Sequence, residues 1–333
     1  MRMVTLIITA LSLLSFSPLH AESFRFQSNG NTLHGTYLPP LTGQETCGVV
    51  ITVHGDGPLD RVAYGYYPLM WNLLRSRGYA VVSWDKPGVG DSSGNWLHQS
   101  MQDRQQEVLA AIRQVKRRFG SQTPSIGLLG FSQAGWVIPA VATQDPSVDF
   151  LIGAGFAINW ADQGWYLMHT RLQRQGASPA AIETARQQYL RHLAFLSSGP
   201  TYEDYLESAP DYTTPMSPDR FIFALKNMHS DASSDYRQLE QPLLMLLGED
   251  DLNVDIGNTK TFLTSLRSHH PNIHIKVLPN ATHALLDSRF FNTQKPGFLF
   301  IIKLHLFGNA ALSPHLEPVL DDWLSELGCQ QKK

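Results

Sequence analysis

Charge and cysteine are both scarce in this chain. Only 17% of its 333 residues are charged, and the formal net charge is −3. The lysines and arginines gather into no patch or stripe, which excludes the electrostatic footprint of a nucleic-acid binder. The one basic run, Lys116-Arg117-Arg118, closes an expected helix, where positive charge suits the helix dipole. Two cysteines, Cys47 and Cys329, are too few for a disulfide scaffold, and no Cys/His cluster or H-E-x-x-H run suggests a metal site. Gly88-Val89-Gly90 follows an expected strand, but the next glycine is Gly94, off the spacing of a dinucleotide fingerprint. The sequence therefore calls for no metal and no cofactor. Internal repeats and low-complexity runs are also lacking.

What is present is enough apolar material, 43% of residues, to bury a large core as one domain or as a domain with an insertion. The chain opens on Met1-Arg2-Met3, followed by an uncharged apolar stretch over residues 4–16 and by Ser17-Pro18-Leu19-His20-Ala21. This is the pattern of a secretory signal peptide with its cleavage region. The apolar stretch is 13 residues long, short of the roughly 20 that a spanning helix needs. The expectation is a signal peptide over 1–21, an exported periplasmic or secreted product, and no stable membrane insertion after cleavage.

Beyond residue 21, Phe24-Arg25-Phe26-Gln27 and the run 33–37 alternate around Asn29-Gly30, an antiparallel hairpin signal. Six near-continuous apolar runs follow, at 48–53, 79–84, 125–130, 150–156, 243–248 and 273–278, the pattern of a parallel sheet covered on both faces. Amphipathic helices lie between most of them, the clearest opening at the capping box Ser100-Met101-Gln102-Asp103. Residues 159–238 interrupt this rhythm with helix starts at Ser178-Pro179 and Ser217-Pro218. Their aromatics, Trp160, Trp165, Tyr166, Tyr189, Tyr202, Tyr205 and Phe221, either form a core of their own or line a pocket. The expected organisation is a core of 22–158 and 239–333 with a helical cap inserted at 159–238.

The chemistry gathers just past the strand ends, where open α/β sheets place their sites. Gly130-Phe131-Ser132-Gln133-Ala134-Gly135 pinches a serine between small residues at a strand-to-helix turn, the form of a nucleophile elbow. A serine hydroxyl needs a base to take its proton. His283 follows the last expected strand, whereas His269 and His270 precede it and so fall at the wrong end of the sheet. Glu249, Asp250 and Asp251 compete as the acid that would orient the imidazole. His54-Gly55-Asp56-Gly57-Pro58 follows the first parallel strand.

Serine, acid and histidine in that order, with His54-Gly55-Asp56-Gly57-Pro58 and Trp84-Asp85-Lys86-Pro87-Gly88-Val89-Gly90-Asp91-Ser92, give the chain a resemblance to the α/β-hydrolase superfamily. Within it, the chain resembles the bacterial exported esterase and peptidase-like branch with an HGxGP oxyanion loop. The resemblance implies a mostly parallel sheet of about eight strands with helices on both faces. Its G-x-x-D-x-x-V pattern selects Asp251, with Val254 three residues later. It implies oxyanion donors at the backbone N–H groups of Gln133 and Asp56. An aspartate is unusual so close to an oxyanion, and its side chain is expected to turn away or to bond within its own loop. The implied activity is a serine hydrolase cleaving a small carboxylic ester through an acyl-enzyme. A serine peptidase or aminopeptidase on short peptides and a non-enzymatic binding protein on the same fold are the alternatives.

The cysteines are expected to pair. Cys47 precedes the first parallel strand, at the amino end of the sheet. A final helix beginning near Ser313-Pro314, with Val319, Leu320, Trp323, Leu324 and Leu327 on one face, returns Cys329 to that end. An exported protein supplies the oxidising setting.

Overall fold

The computed structural model describes residues 21–41, 46–208 and 215–328. Most of the expected signal peptide and Cys329 lie outside the described residues. Eight strands form one sheet in the order β1-β2-β4-β3-β5-β6-β7-β8. They are β1 (Glu22–Ser28), β2 (Asn31–Leu38), β3 (Gly48–Val53), β4 (Tyr79–Trp84), β5 (Ser125–Phe131), β6 (Val148–Ala154), β7 (Leu243–Gly248) and β8 (Ile273–Leu278). This is the α/β-hydrolase fold.

The hairpin β1–β2 turns at Asn29 and Gly30, both at positive φ (50° and 75°), as a two-residue hairpin turn requires. It joins β4 antiparallel, and β4, β3, β5, β6, β7 and β8 then run parallel. Every residue of β3, β4 and β7 is buried, as expected of strands covered on both faces. Successive side chains serve opposite layers. Val49, Ile51 and Met245 pack with α2 (Met101–Phe119), α3 (Ile138–Gln144), α8 (Ser233–Gln238) and α9 (Ile256–Leu266). Val50, Leu244 and Leu246 pack with α1 (Tyr67–Arg75), α11 (Phe298–Phe307) and α12 (Leu316–Glu326).

The fourth apolar run, 150–156, falls differently from expectation. Its strand occupies Val148–Ala154, because Gly155 takes a φ of +63° and turns the chain out of the sheet before Phe156. Phe156 is fully buried but packs under the elbow rather than in a strand. The last helix starts at Leu316, just past Ser313-Pro314. Its Trp323 packs edge-on to Phe150 at 5.7 Å, and Arg77 pairs with its Glu317 at 3.0 Å and with its Asp321. Cys47 and Leu327 pack against the same buried cluster.

Between β6 and β7 lie α4 (Trp160–Arg174), α5 (Pro179–Ser197), α6 (Tyr202–Ser208), α7 (Pro218–Asn227) and α8. Ser178 and Ser217 cap α5 and α7 by accepting from the N–H of Ala181 and of Arg220. Leu196, Tyr205, Phe221 and Met228 form a small core of their own. The segment meets the loops at the carboxyl end of the sheet. The Tyr166 hydroxyl donates to the Asp251 carbonyl at 3.0 Å and the Gln163 amide to the Asn253 carbonyl at 3.1 Å. A short α10 (Ser288–Phe291) follows the loop after β8.

The capping box at Ser100 is fully formed, each partner accepting from the other's backbone N–H. Ser100→Ala is therefore expected to lower stability by about 1 kcal/mol, read as a shift of the denaturation midpoint at unchanged slope.

Candidate active site

The turn after β5 puts Ser132 at φ +49°, the left-handed region. A non-glycine residue there costs on the order of 1–3 kcal/mol, so its surroundings must hold it. Ala134 is fully buried. A Cβ on Gly130 would stand 2.7 Å from the Phe156 ring and 2.9 Å from the Ala134 methyl. Only small residues fit where strand, turn and Phe156 converge, which is the steric content of the motif.

Ser132 and His283 share the wall of a cavity of about 550 Å³. The His283 Nδ1 lies 2.8 Å from the Asp251 Oδ2. Asp251 is buried, and its other oxygen accepts from the N–H groups of Asn253 at 2.7 Å and Val254 at 2.9 Å. This explains the spacing to Val254, whose amide helps lock the carboxylate. Asp250 is turned elsewhere and accepts from the Ser288 hydroxyl. Because Nδ1 must donate to the carboxylate, Nε2 keeps its lone pair. Gly155 makes the approach possible, since a Cβ there would sit 2.8 Å from the His283 Nδ1. Burial disfavours the imidazolium, but the Asp251 charge and hydrogen bond outweigh it and raise the His283 pKa above its ordinary 6.5.

The loop after β3 is held from beneath by buried cations. Lys86 Nζ donates to the Gly55 carbonyl at 2.7 Å and the Gly57 carbonyl at 2.9 Å, and Arg104 donates to the His54 carbonyl. Among the described residues no peptide bond is cis. In a trans peptide unit C=O and N–H point in opposite directions, so the Asp56 N–H points away from Lys86. A Cβ on Gly55 would lie 3.5 Å from the Ser132 Cβ, which places the loop directly against the serine. His54 is a structural member. Its Nε2 donates to the Trp84 carbonyl and its Nδ1 accepts from the Tyr67 hydroxyl at 3.1 Å. Burial, reinforced by the Lys86 charge, depresses its pKa to about 3, so it stays neutral.

The Asp56 side chain turns away to α7. Arg220 donates to its two oxygens at 3.2 and 3.1 Å, and the Gln133 amide donates to one of them at 3.3 Å. Burial raises the Asp56 pKa, but Arg220 and Lys86 outweigh it and hold the carboxyl below its ordinary value. The Gln133 side-chain oxygen, Oε1, in turn accepts from Arg104 at 2.6 Å. Burial and the neighbouring Arg104 push Lys86 well below the usual lysine range, against Asp56 and Glu107.

Sequence reasoning missed four contributors. Lys86 stands inside a quoted motif but received no role. Arg104 and Arg220 are distant in sequence from the loop they serve. The third wall of the cavity is α11, through Phe300, Ile301 and Leu304, and its run of apolar residues without a polar face was the available signal. Among the described residues that line the cavity none belongs to 159–238, so the aromatics there serve mainly their own core. A larger hollow of about 1010 Å³ beside Arg75 and Phe307 contains none of Ser132, Asp251 or His283.

Sheet order, elbow and loop positions define a hydrolase of the α/β-hydrolase superfamily. Residues 44–289 match the family described as serine aminopeptidase, S33; the chain belongs to that family. No curated protein matches the sequence. The fold is similar to that of the Pyrococcus furiosus esterase Pf2001, at 14% identity and TM-score 0.59 over 92% of this chain and 91% of that one. It is also similar to Est1E from Butyrivibrio proteoclasticus, solved with ferulic acid bound, at 16% identity and TM-score 0.52 over 78% and 91% of the two chains. At such identities the likeness establishes the fold.

If Asp251 is what lifts His283, removing its charge leaves burial unopposed. In a nuclear magnetic resonance titration the wild-type imidazole is expected to titrate above 6.5 and that of Asp251→Asn below it. An unchanged midpoint would detach Asp251 from this role.

Proposed function

We propose that the protein is a serine hydrolase that cleaves a carboxylic ester with an apolar acyl group through an acyl-enzyme. The observation that carries this reading is the cavity itself. Ser132 lines it together with a histidine hydrogen-bonded to a buried carboxylate, among walls of Leu59, Tyr67, Phe131, Leu286, Phe300 and Leu304.

In this reading the Ser132 Oγ attacks the ester carbonyl as His283 Nε2 takes its proton, and Asp251 stabilises the resulting imidazolium. The oxyanion is met by the N–H groups of Gln133 and Asp56, each worth about 3–4 kcal/mol in such sites. Collapse expels the alcohol, which takes the proton back from His283. Water then repeats the sequence on the acyl-serine, releasing the acid and free Ser132.

The cavity favours an ester over an aminopeptidase substrate. A free N-terminal ammonium calls for an uncompensated carboxylate near the serine. Among the described residues the one carboxylate on the cavity wall is Asp56, already paired with Arg220. Chromogenic esters of rising acyl length should be turned over, and aminoacyl anilides not; the reverse preference would replace the ester reading by the peptidase one.

A fluorophosphonate probe should label the wild type and leave Ser132→Ala unlabelled. Because the group acts as a unit, His283→Ala should lose nearly as much turnover as Ser132→Ala, and the double variant little more. Labelling of the alanine variant would show that another residue is the nucleophile, and no labelling of the wild type would favour a binding protein.

The base must be neutral to accept a proton. Since the His283 pKa is raised, kcat/KM is expected to fall as pH drops through a midpoint above 6.5. A profile flat to pH 4 would remove His283 from the mechanism.

A further inference from the structure

Helix α11 has no polar face, since Lys303 and His305 are the only residues among its ten that are not apolar. Its inner side lines the cavity through Phe300, Ile301 and Leu304. On its outer side Phe298, Leu299 and Leu306 are 79%, 78% and 80% exposed. Ile302 lies on the same stripe, and the exposed Phe290 packs at the helix end, 5.3 Å from the Phe307 ring. A contiguous apolar patch of this kind marks a contact surface.

Charge identifies the contact. From Ser288 to Leu316 the chain carries Arg289, Lys295 and Lys303 and no carboxylate. Arg289 is taken up by Asp287. Among the described residues no carboxylate pairs with Lys295 or Lys303. The Lys303 ammonium lies 5.4 Å from the Phe290 ring and 5.7 Å from that of Phe307, so cation and apolar patch are presented together. Apolar side chains with lysines at their margin match the boundary between acyl chains and anionic headgroups. A second copy of this chain would instead set the same cations against each other across a two-fold axis. No described helix is long and apolar enough to cross a membrane, so contact would be made from the surface.

We propose that α11 docks the protein on an anionic lipid surface, with its outer face among the acyl chains. The substrate then belongs to that surface: an acyl lipid whose chain passes the inner face of α11 to reach Ser132. The delivery half of this inference rests on the hydrolase reading; the docking half does not.

The test uses the full chain carrying Ser132→Ala, so that no vesicle lipid is consumed, in co-sedimentation with vesicles. One set is pure phosphatidylcholine and the other contains phosphatidylglycerol. Binding to the anionic set is expected to be about tenfold tighter or more, given two uncompensated lysines, and to weaken with salt. Adding Leu299→Asp and Leu306→Asp should weaken it by a further factor of about ten or more. The same pair in the active protein should leave turnover of a short soluble ester unchanged, which also reports that the variant folds. No binding, or equal binding to both vesicle types, would overturn the proposal. So would a wild-type dimer in sedimentation velocity that the two aspartates split, without vesicle binding. A protein that binds vesicles yet hydrolyses no ester would uphold docking and sink the catalytic reading alone.

Discussion

Two cations buried beneath the loop after β3 shape the candidate site more than any other contact. Lys86 and Arg104 are 2% and 4% exposed, and taking a charge out of water costs several kcal/mol unless it is paired and hydrogen-bonded. Here the partners are the carbonyls of His54, Gly55 and Gly57, with Asp56 and Glu107 supplying opposite charge. Once the Gly55 carbonyl faces inward and down, the plane of its peptide unit leaves the Asp56 N–H no other direction than outward. The loop is thus oriented before any ligand arrives, the condition under which backbone donors are most effective.

The opposite wall rests on a different constraint, the tolerance for backbone at close quarters. Ser132 is held in a conformation that its own side chain disfavours, and the packing of Phe156 against Gly130 keeps it there. Phe156 reaches that position because β6 ends at Ala154 and Gly155 turns the chain. The same turn opens the space that His283 fills. One glycine thus serves both the Ser132 side and the His283 side of the cavity.

What could be read from the sequence follows from this division. Strands, the hairpin, the capping box and the elbow are local patterns, and their chemistry is written in adjacent residues. Asp56 could be flagged as out of place and expected to turn aside, which it does; that its partner would be Arg220, 164 residues away, was not written in adjacent residues. The last strand residue of β6 was misjudged because apolar character continues through Phe156 while the backbone does not. The apolar wall supplied by α11 was hidden for a related reason. Hydrophobicity says that a helix must meet something; it does not say which surface, and here one side meets the cavity and the other meets solvent.

The pairing of Asp56 with Arg220 has a mechanical side. Arg220 belongs to α7, Asp56 to the loop against Ser132, and Gln133 bridges that carboxylate to Arg104. The helices between β6 and β7 and the loop beside the serine are therefore fastened by a charge pair that water still reaches. Without Arg220 the cavity wall would carry an unpaired carboxylate at Asp56. The contact that fastens α7 to the loop therefore also neutralises a negative charge beside the serine, and salt screens a pair that water reaches.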